Sequence, residues 1–270
     1  KYVFRTMAHA TADNVAAAMY VKEKFPNVKG YTGINQNYAW GQDSWRDFDL
    51  TMQQIMSSAK PSDNTQFPKI FAGQYGSEIS AMSLDKADLL HSSFWGGDLE
   101  AFIFQGAARG LFKKKTSVLT VGGTAAYRLG KKLPNGLVLG ARGPYGILVR
   151  DRKSELNQWF INNYKNIYGI FPSGPAYQYG QAILAAKIAY DKAGSDATNE
   201  QLAAALKGIT FEAFSTTVEM KLGNGHQAVT ENGYGITKYD EENGENIVTD
   251  VKFYPASCVM PPEGVNSVEW

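Results

Sequence analysis

The first half of the chain repeats one local pattern three times: an apolar segment, a glycine-rich or polar loop, and then a segment with helical periodicity. The apolar segments lie at residues 28–35, 89–94 and 117–121, and their length is typical of buried strands. Strands that alternate with helices at this spacing indicate βαβ units, because a parallel strand can be reached only through a long crossover connection. The pattern therefore predicts an α/β fold in which parallel sheets are flanked by helices.

A helix is predicted to follow each of these strands. The first covers residues 42–57, after the polar loop 36–41. The second carries the apolar stripe of a helix that lies on a sheet, formed by Leu99, Phe102, Ile103, Gly106 and Ala107. The third follows the Gly122-Gly123 turn, and Thr124 is its expected N-cap.

The second half of the chain begins with helices and ends with hairpins. A strand at 136–140 leads into the segment 141–146, whose Gly-Pro-Tyr-Gly sequence suits a turn or a crossover between two lobes. Helices are predicted at 154–168, in the Ala-rich segment that Gly194 ends, and after the N-cap Thr198. Beyond residue 211, short apolar runs alternate with hairpin-type turns at Gly223-Asn224-Gly225, Asn232-Gly233 and Glu242-Asn243-Gly244.

The composition excludes several classes of partner. Lys plus Arg total 27 and Asp plus Glu total 26, so the chain lacks the basic excess from which nucleic-acid binding draws its affinity. No apolar stretch approaches the ~20 residues that span a bilayer. The single cysteine, Cys258, excludes an internal disulfide and a cysteine-rich metal site. Neither a metal nor a cofactor is therefore expected.

Catalysis is also disfavoured by the sequence. His9, His91 and His226 lie in separate segments, and none is a sequence neighbour of Cys258. The motifs of zinc proteases, of serine hydrolases and of phosphate-binding loops are absent. We therefore expect no catalytic residues, and an enzyme is the least favoured of the functions considered.

The loops that follow the three strands hold the candidate binding residues. In an open parallel sheet these loops meet at the carboxyl edge, where ligands bind. Together they carry Tyr38, Trp40, Trp95, Asp98 and Thr124. Aromatic faces, one carboxylate and one hydroxyl form a recognition surface, and they lack the nucleophile–base pair that catalysis would need.

Each candidate also has a purely structural interpretation. Asp98 directly precedes a predicted helix and would serve there as an N-cap. Trp95 would equally pack between sheet and helix, whereas Trp40, beside Gly41 in a polar loop, fits a core position less well. Two further tyrosines, Tyr177 and Tyr179, fall in the first turn of the Ala-rich helix, where core packing and ligand contact are equally expected. Tyr145 would be either a hinge residue or a ligand contact.

An ordered set of motifs resembles a known family. The motifs are Tyr2-Val3-Phe4-Arg5-Thr6, Tyr38-Ala39-Trp40-Gly41-Gln42-Asp43, Trp95-Gly96-Gly97-Asp98, Gln105 through Gly110-Leu111, then Phe160, Tyr164, Tyr168-Gly169, Pro172 and the helix from Tyr177 to Gly194. In this order they resemble the type I periplasmic solute-binding proteins of ABC importers, in the leucine/isoleucine/valine-binding protein family. The resemblance runs over essentially the whole chain, although no single motif is specific.

The resemblance implies two α/β lobes that are joined by crossover strands and close on a ligand like a hinge. Trp40 corresponds to the family's ligand-contacting aromatic residue, and Gly96 and Asp98 belong to its Gly-Gly turn. In amino-acid binders, the loop that corresponds to Gly122-Gly123-Thr124 often carries an acid that faces the ligand ammonium. Since this chain has no acid there, an ordinary α-amino acid is not the expected ligand unless Asp98 takes that role.

The resemblance also assigns the lobes. Residues 8–142 and 212–270 correspond to the second lobe, and residues 1–7 and 146–210 to the crossover and the helical part of the first lobe. The family's Phe-Arg-Thr segment follows most of the first lobe, whereas here it stands at the start of the sequence. We therefore expect the first lobe to be incomplete, with its N-terminal strands missing through truncation or loss of an N-terminal piece.

The function that these observations favour is that of a transport receptor. The protein would bind a small organic solute, either an aromatic carboxylate or an amino acid, between the lobes and deliver it to ABC permease subunits. Two tryptophans in the loops favour a ligand with a flat face. The expected location is periplasmic or cell-surface, with membrane contact only through the permease. A ligand-sensing regulatory or receptor domain of the same fold is the alternative.

Overall fold

The computed structural model of the protein describes residues 1–266 and residue 270. The strands in this part of the chain are β1 (Gly30–Gly33), β2 (Lys60–Pro61), β3 (Leu89–Ser92), β4 (Thr116–Leu119), β5 (Val138–Gly140), β6 (Thr210–Glu212), β7 (Thr217–Leu222), β8 (Gln227–Val229), β9 (Asn232–Asp240) and β10 (Glu245–Tyr254). They form a seven-stranded sheet in the order β10-β9-β5-β4-β3-β1-β2 and a three-stranded sheet in the order β6-β7-β8.

The α-helices in the same part of the chain alternate with the strands of the first half. They are α1 (Ala10–Lys24), α2 (Ala39–Ile55), α3 (Gly76–Leu84), α4 (Gly96–Ala108), α5 (Leu111–Lys114), α6 (Ala126–Leu129), α7 (Glu155–Tyr168), α8 (Gly174–Ala193), α9 (Asn199–Leu206) and α10 (Ala256–Val259). Single 3-10 turns lie at Gly122–Thr124, Gly130–Lys132 and Gly146–Val149. Within the described residues, no helix combines the length and the apolarity that crossing a membrane would need.

The predicted α/β fold with a parallel sheet is confirmed. Strand β1 pairs in parallel with β2 and β3, β3 with β4, and β4 with β5. In this sheet β9 pairs antiparallel with β5 and with β10, and a tight turn at Glu242-Asn243-Gly244 joins β9 and β10 as a hairpin. The four strands predicted at 28–35, 89–94, 117–121 and 136–140 are present, and each is shorter than predicted.

Helices cover both faces of the large sheet. Helices α1, α2 and α10 enclose a core on one face, with Tyr20, Phe48 and Met52 among its residues. Helices α3 to α6 enclose the other, which is rich in aromatic side chains such as Phe94 and Phe102. The sequence analysis did not identify α1, since that helix is buried on almost every side and lacks the polar stripe that marks a surface helix.

The small antiparallel sheet packs against α8 and α9, and its Leu222 and Val229 also contact the core of the large sheet. Its inward residues Phe211, Val218 and Met220 form a core with Ala185 of α8, and Phe4 packs against that core. Residues 212–229, predicted to belong with 8–142, therefore lie beside the helices α8 and α9 instead. Alternation along β7 buries every second side chain against these helices, which is the reason for this placement. We propose that the division between the two parts of the chain falls near residue 230.

Three predicted helix starts were wrong, and each lies at the candidate site. Helix α2 begins at Ala39, so Trp40 lies in its first turn and not in a loop. Asp98 is the third residue of α4 and caps nothing. Thr124 ends a 3-10 turn, and its hydroxyl donates to the Val121 carbonyl at 2.8 Å. The sequence analysis sought polar N-caps, whereas extended aromatic residues stand at two of these starts.

The end of the chain followed its prediction more closely. The Thr198 capping box is present, and Gly169 and Gly194 end their helices as predicted. The turn predicted at Asn232-Gly233 was wrong, because these residues open β9. Gly233 there lies under the Phe253 ring, where a Cβ atom would be 2.5 Å from the ring, so close packing explains this glycine.

Candidate functional site

The carboxyl ends of the parallel strands bring four loops together at one edge of the large sheet. Tyr38 and Trp40 follow β1, Trp95 follows β3, Val121 follows β4 and Arg142 follows β5. These five residues line a cavity of about 280 Å³. Their convergence follows from the parallel topology, which places the end of every such strand at the same edge.

A second cavity of about 370 Å³ shares Trp95, Val121 and Arg142 with the first. Its opposite wall comes from the helical part of the chain, through Tyr164 of α7 and Phe171 in the loop before α8. We call the two cavities together the cleft. The larger one lies within the ~300–1,000 Å³ that small-molecule sites usually occupy.

Trp95 is fixed by two contacts. Its indole Nε1 donates to the Tyr38 hydroxyl at 2.7 Å, and its ring meets Phe71 edge-on at a centroid distance of 5.9 Å. The ring is only half-buried and lines both cavities. A held, half-exposed indole presents a flat apolar wall without losing much rotamer entropy on binding.

One face of the Trp40 indole is covered by the Arg142 guanidinium. Its indole Nε1 donates to the Ser93 carbonyl at 3.0 Å, which ties the first turn of α2 to the end of β3. The Arg142 guanidinium lies over the indole with its Cζ 4.4 Å from the ring centroid. This stack is a cation–π interaction, worth about 0.5–2 kcal/mol depending on solvation.

Arg142 adopts an uncommon backbone conformation, with a φ of 59°. Its Nε lies 3.8 Å from Oδ2 of the buried Asp13 in α1. Asp13 is itself held by Asn232 of β9, whose side-chain amide donates to Oδ1 at 2.6 Å. Burial raises the pKa of the Asp13 carboxyl to about 6, although Arg142 and Asn232 both act to lower it.

Aromatic rings and one ion pair complete the larger cavity. Tyr127 stacks on Phe171 with a centroid distance of 5.6 Å and an angle of 23° between the ring planes. At the same cavity, Arg128 pairs with Glu100 at 3.2 Å. The cavity therefore has four aromatic residues in its lining, Trp95, Tyr127, Tyr164 and Phe171, and the charges of Glu100 and Arg128 balance each other.

Five of the predicted site residues line the cleft: Tyr38, Trp40, Trp95, Gly96 and Thr124. Asp98 does not, because its side chain is turned inward and is 3% exposed. Its Oδ2 accepts the Gln36 amide at 2.6 Å and the Phe71 backbone N–H at 2.7 Å. In this position the carboxylate joins two loops to α4.

The three remaining predicted residues lie outside the cleft. Tyr145 and Tyr177 are fully buried in the core at the junction between the large sheet and α7 and α8. The Tyr177 hydroxyl donates to Asn157 at 2.8 Å, and the Tyr145 hydroxyl accepts from Gln181 at 3.2 Å. Tyr179, in contrast, is 75% exposed on α8.

The sequence analysis missed Arg142, Tyr127 and Phe171. An arginine two residues beyond a strand end, followed by glycine, was the available signal for Arg142. No local pattern marks Tyr127 or Phe171, because they become neighbours only when α6 meets the loop before α8.

Fold and site together define an α/β ligand-binding protein whose cleft lies between strand-end loops and a helical segment. The chain belongs to the periplasmic binding protein family, which matches residues 1–244. The family suggested by the ordered motifs is thereby confirmed.

Solved structures of similar fold include binding proteins of ABC transporters. One, a solute-binding protein from Rhodopseudomonas palustris BisB5 in complex with 3,4-dihydroxybenzoic acid, matches at a TM-score of 0.80 and 17% identity over 94% of this chain and 67% of its own. Another R. palustris solute-binding protein, in complex with benzoate, matches at a TM-score of 0.74 and 18% identity, over 92% of this chain and 64% of its own. An amino-acid ABC transporter substrate-binding protein from Pseudomonas fluorescens Pf-5 matches at a TM-score of 0.75 and 16% identity, over 95% of this chain and 68% of its own.

At these identities the likeness concerns the fold alone. The chain spans about two thirds of the length of each of these structures, with 64% for the benzoate complex. Among curated proteins, none matches the sequence significantly.

Proposed function

We propose that this protein is the extracytoplasmic receptor of an ABC importer and that it binds a small organic solute with a flat aromatic face in the cleft. The observation that carries the proposal is the aromatic lining, with Trp95 on the sheet side and Tyr127 and Phe171 toward the helices. Offset or edge-on aromatic contacts add about 0.5–1.5 kcal/mol beyond the burial of apolar area.

Two further observations support this choice. Benzoate and 3,4-dihydroxybenzoate are the ligands of two binding proteins that share the fold. An amino acid is the less favoured ligand, because Glu100 is paired with Arg128 and Asp98 is turned into the loops. Within the described residues, the cleft therefore offers an ammonium group no unpaired carboxylate.

The proposed transport role is supported by the family and by the position of the cleft. Its walls come from two parts of the chain, so a ligand that touches both stabilises the closed arrangement. We propose that this closed form docks on the permease subunits, which would be the protein's only connection with the membrane. We favour transport over a sensing role because the similar structures are transporter components.

Binding without turnover is the expected result for the protein at its full natural length. Calorimetric titration with benzoate, 4-hydroxybenzoate, 3,4-dihydroxybenzoate, phenylalanine and leucine should detect one site that prefers the aromatic acids. X-ray scattering should record a smaller radius of gyration when ligand is present. Conversion of a bound solute to a product would contradict the receptor role, and binding of none of the five would contradict the proposed ligand class.

Trp40→Ala should weaken the binding of benzoate by about 1–3 kcal/mol, because Arg142 loses the ring on which it lies. The free energy of unfolding should fall by less than the ~3–5 kcal/mol of a core tryptophan deletion, since Trp40 is only half-buried. Titration and chemical denaturation of the same variant separate the two effects.

Trp45→Ala is the matched control, because Trp45 lies in the same helix but packs against the core of the large sheet. It should lose stability and keep its affinity. An unchanged affinity in Trp40→Ala together with a large loss of stability would assign Trp40 to the core as well.

A further inference from the structure

We propose that Arg142 recognises the charge of the ligand, and that its guanidinium pairs with a carboxylate on the planar solute. This inference rests on the proposed function and specifies its ligand class, an aromatic monocarboxylate. The assignment stands on four features of the molecule: the unsatisfied donors of Arg142, the groups that hold it, the balance of charge in the cleft, and the coupling to Asp13.

The Arg142 guanidinium is left without hydrogen bonds by the described chain. Its Nε is buried and has no partner there, and Oδ2 of Asp13, at 3.8 Å, is beyond hydrogen-bond range. The side chain is nevertheless 33% exposed and lines both cavities of the cleft. A guanidinium carries five donors in a planar fork and stays charged at every physiological pH. Such a group in a cleft wall fits the two oxygens of a carboxylate.

The surrounding residues fix the position of this fork. Trp40 supports one face of the guanidinium, and Asp13 attracts its Nε edge. Arg142 has a left-handed backbone conformation, which is uncommon for a residue with a side chain. A donor that is already oriented loses less entropy when it pairs with a ligand.

No carboxylate in the lining of the cleft pairs with Arg142, because its neighbour Asp13 is buried and does not line either cavity. Glu100 and Arg128 pair with each other, so their contributions cancel. Lys165, whose Nζ lies 4.3 Å from the Phe171 ring centroid, adds further positive potential at the helical side. An anion is therefore favoured, and the aromatic walls require that it be flat.

Binding of an anion at Arg142 should also cause Asp13 to take up a proton. Among the described residues, Arg142 is the only cation that acts on Asp13; the other groups are Asn232 and Tyr234 of β9 and Tyr145. When a carboxylate neutralises the guanidinium, Asp13 loses the charge that holds its pKa down. Protons should therefore be taken up on binding near pH 6, a linkage that a purely structural role for Arg142 would not produce.

The test compares benzoate with benzamide, its neutral isostere, in calorimetric titrations of the protein at its full natural length. The wild-type protein should prefer benzoate by about tenfold or more. Arg142→Gln should bind benzoate about 10- to 100-fold more weakly and lose most of this preference. Arg109→Gln, a control at an arginine outside the cleft that donates to the Gly76 carbonyl, should retain it. Titrations in buffers of different ionisation enthalpy should detect proton uptake that Asp13→Asn abolishes.

Each outcome decides between the two proposals. If the wild-type protein binds neither probe nor any solute of the panel above, the proposed function fails and this inference fails with it. If it binds benzoate and Arg142→Gln retains the preference over benzamide, only the inference is overturned. Should Arg142→Gln not fold, Arg142→Lys takes its place, because it keeps the charge and lacks the fork. It should lose affinity for benzoate by about fivefold and keep its affinity for benzamide.

Discussion

Replacement of His91 by glutamine should remove about 4 kcal/mol of the loss of stability that acid causes by pH 3. His91 lies in β3 and is fully buried, and this burial lowers the pKa of its imidazole to about 3. The unfolded chain binds the proton from about pH 6.5 downward. The free energy of unfolding therefore falls as the pH drops from about 6.5 to about 3, and His91→Gln should lack that loss.

The contacts of His91 make glutamine a suitable replacement. The imidazole stacks on Phe48 at a centroid distance of 4.4 Å, and its Nε2 lies 2.9 Å from Oδ1 of Asn14. Nδ1 has no partner among the described residues. The neutral ring with its proton on Nε2 satisfies this arrangement, since Asn14 Oδ1 can only accept. A glutamine amide can donate to the same oxygen and does not titrate.

The titration of Asp13 changes the free energy of unfolding with pH in the opposite direction. Its pKa in the folded protein is raised to about 6, so the native state binds this proton before the unfolded chain does. Its contribution to stability therefore rises as the pH falls from about 6 to about 4, and it masks part of the His91 effect there. In Asp13→Asn the acid loss of the wild-type protein should become steeper over this range.

Urea unfolding from pH 3.5 to 7.5 measures both slopes. The free energies of unfolding of the wild-type protein and His91→Gln should lie nearest each other at pH 7.5, where His91 is neutral in both the folded and the unfolded state. They should diverge as the pH falls. Parallel curves over the whole range would mean that the pKa of His91 is the same in the folded protein and in the unfolded chain, and the buried neutral ring would then be wrong.

Asp98→Ala should lower the free energy of unfolding by about 3–5 kcal/mol, because it removes a buried acceptor from two donors. The Gln36 amide and the Phe71 N–H both point at Oδ2 of this carboxylate. Gln36 belongs to the loop after β1 and Phe71 to the loop before α3, so both loops lose their connection to α4. Chemical denaturation at pH 7 measures the loss.

Asp98→Asn is the matched control, since its amide oxygen can occupy the position of Oδ2 and accept from both donors. It should retain much more stability than the alanine variant. If Asp98 instead faced the ligand, both variants would lose affinity and the alanine variant would stay stable. The stability measurement therefore separates the structural role of Asp98 from the binding role that its place in the Gly-Gly turn first suggested.

The parallel sheet could be predicted from the sequence because its signals are local. Strand length, the apolar stripe of α4, the capping box at Thr198 and the Gly223-Asn224-Gly225 turn each depend on residues within a few positions of one another. These short-range preferences agree with the fold, so the order and type of most elements follow from them. Helix α1 escaped because a helix that is buried on nearly all sides has no periodic contrast.

The direction of each side chain at the site was decided by contacts between distant parts of the chain. Asp98 turns inward because Gln36, 62 positions away, offers it a donor. Arg142 lies in the cleft because Trp40 and Asp13, both more than ninety residues earlier in the sequence, hold its guanidinium. A sequence pattern identifies which residues stand at a strand end. Which of them face a ligand depends on burial and on partners that only the folded chain brings within reach.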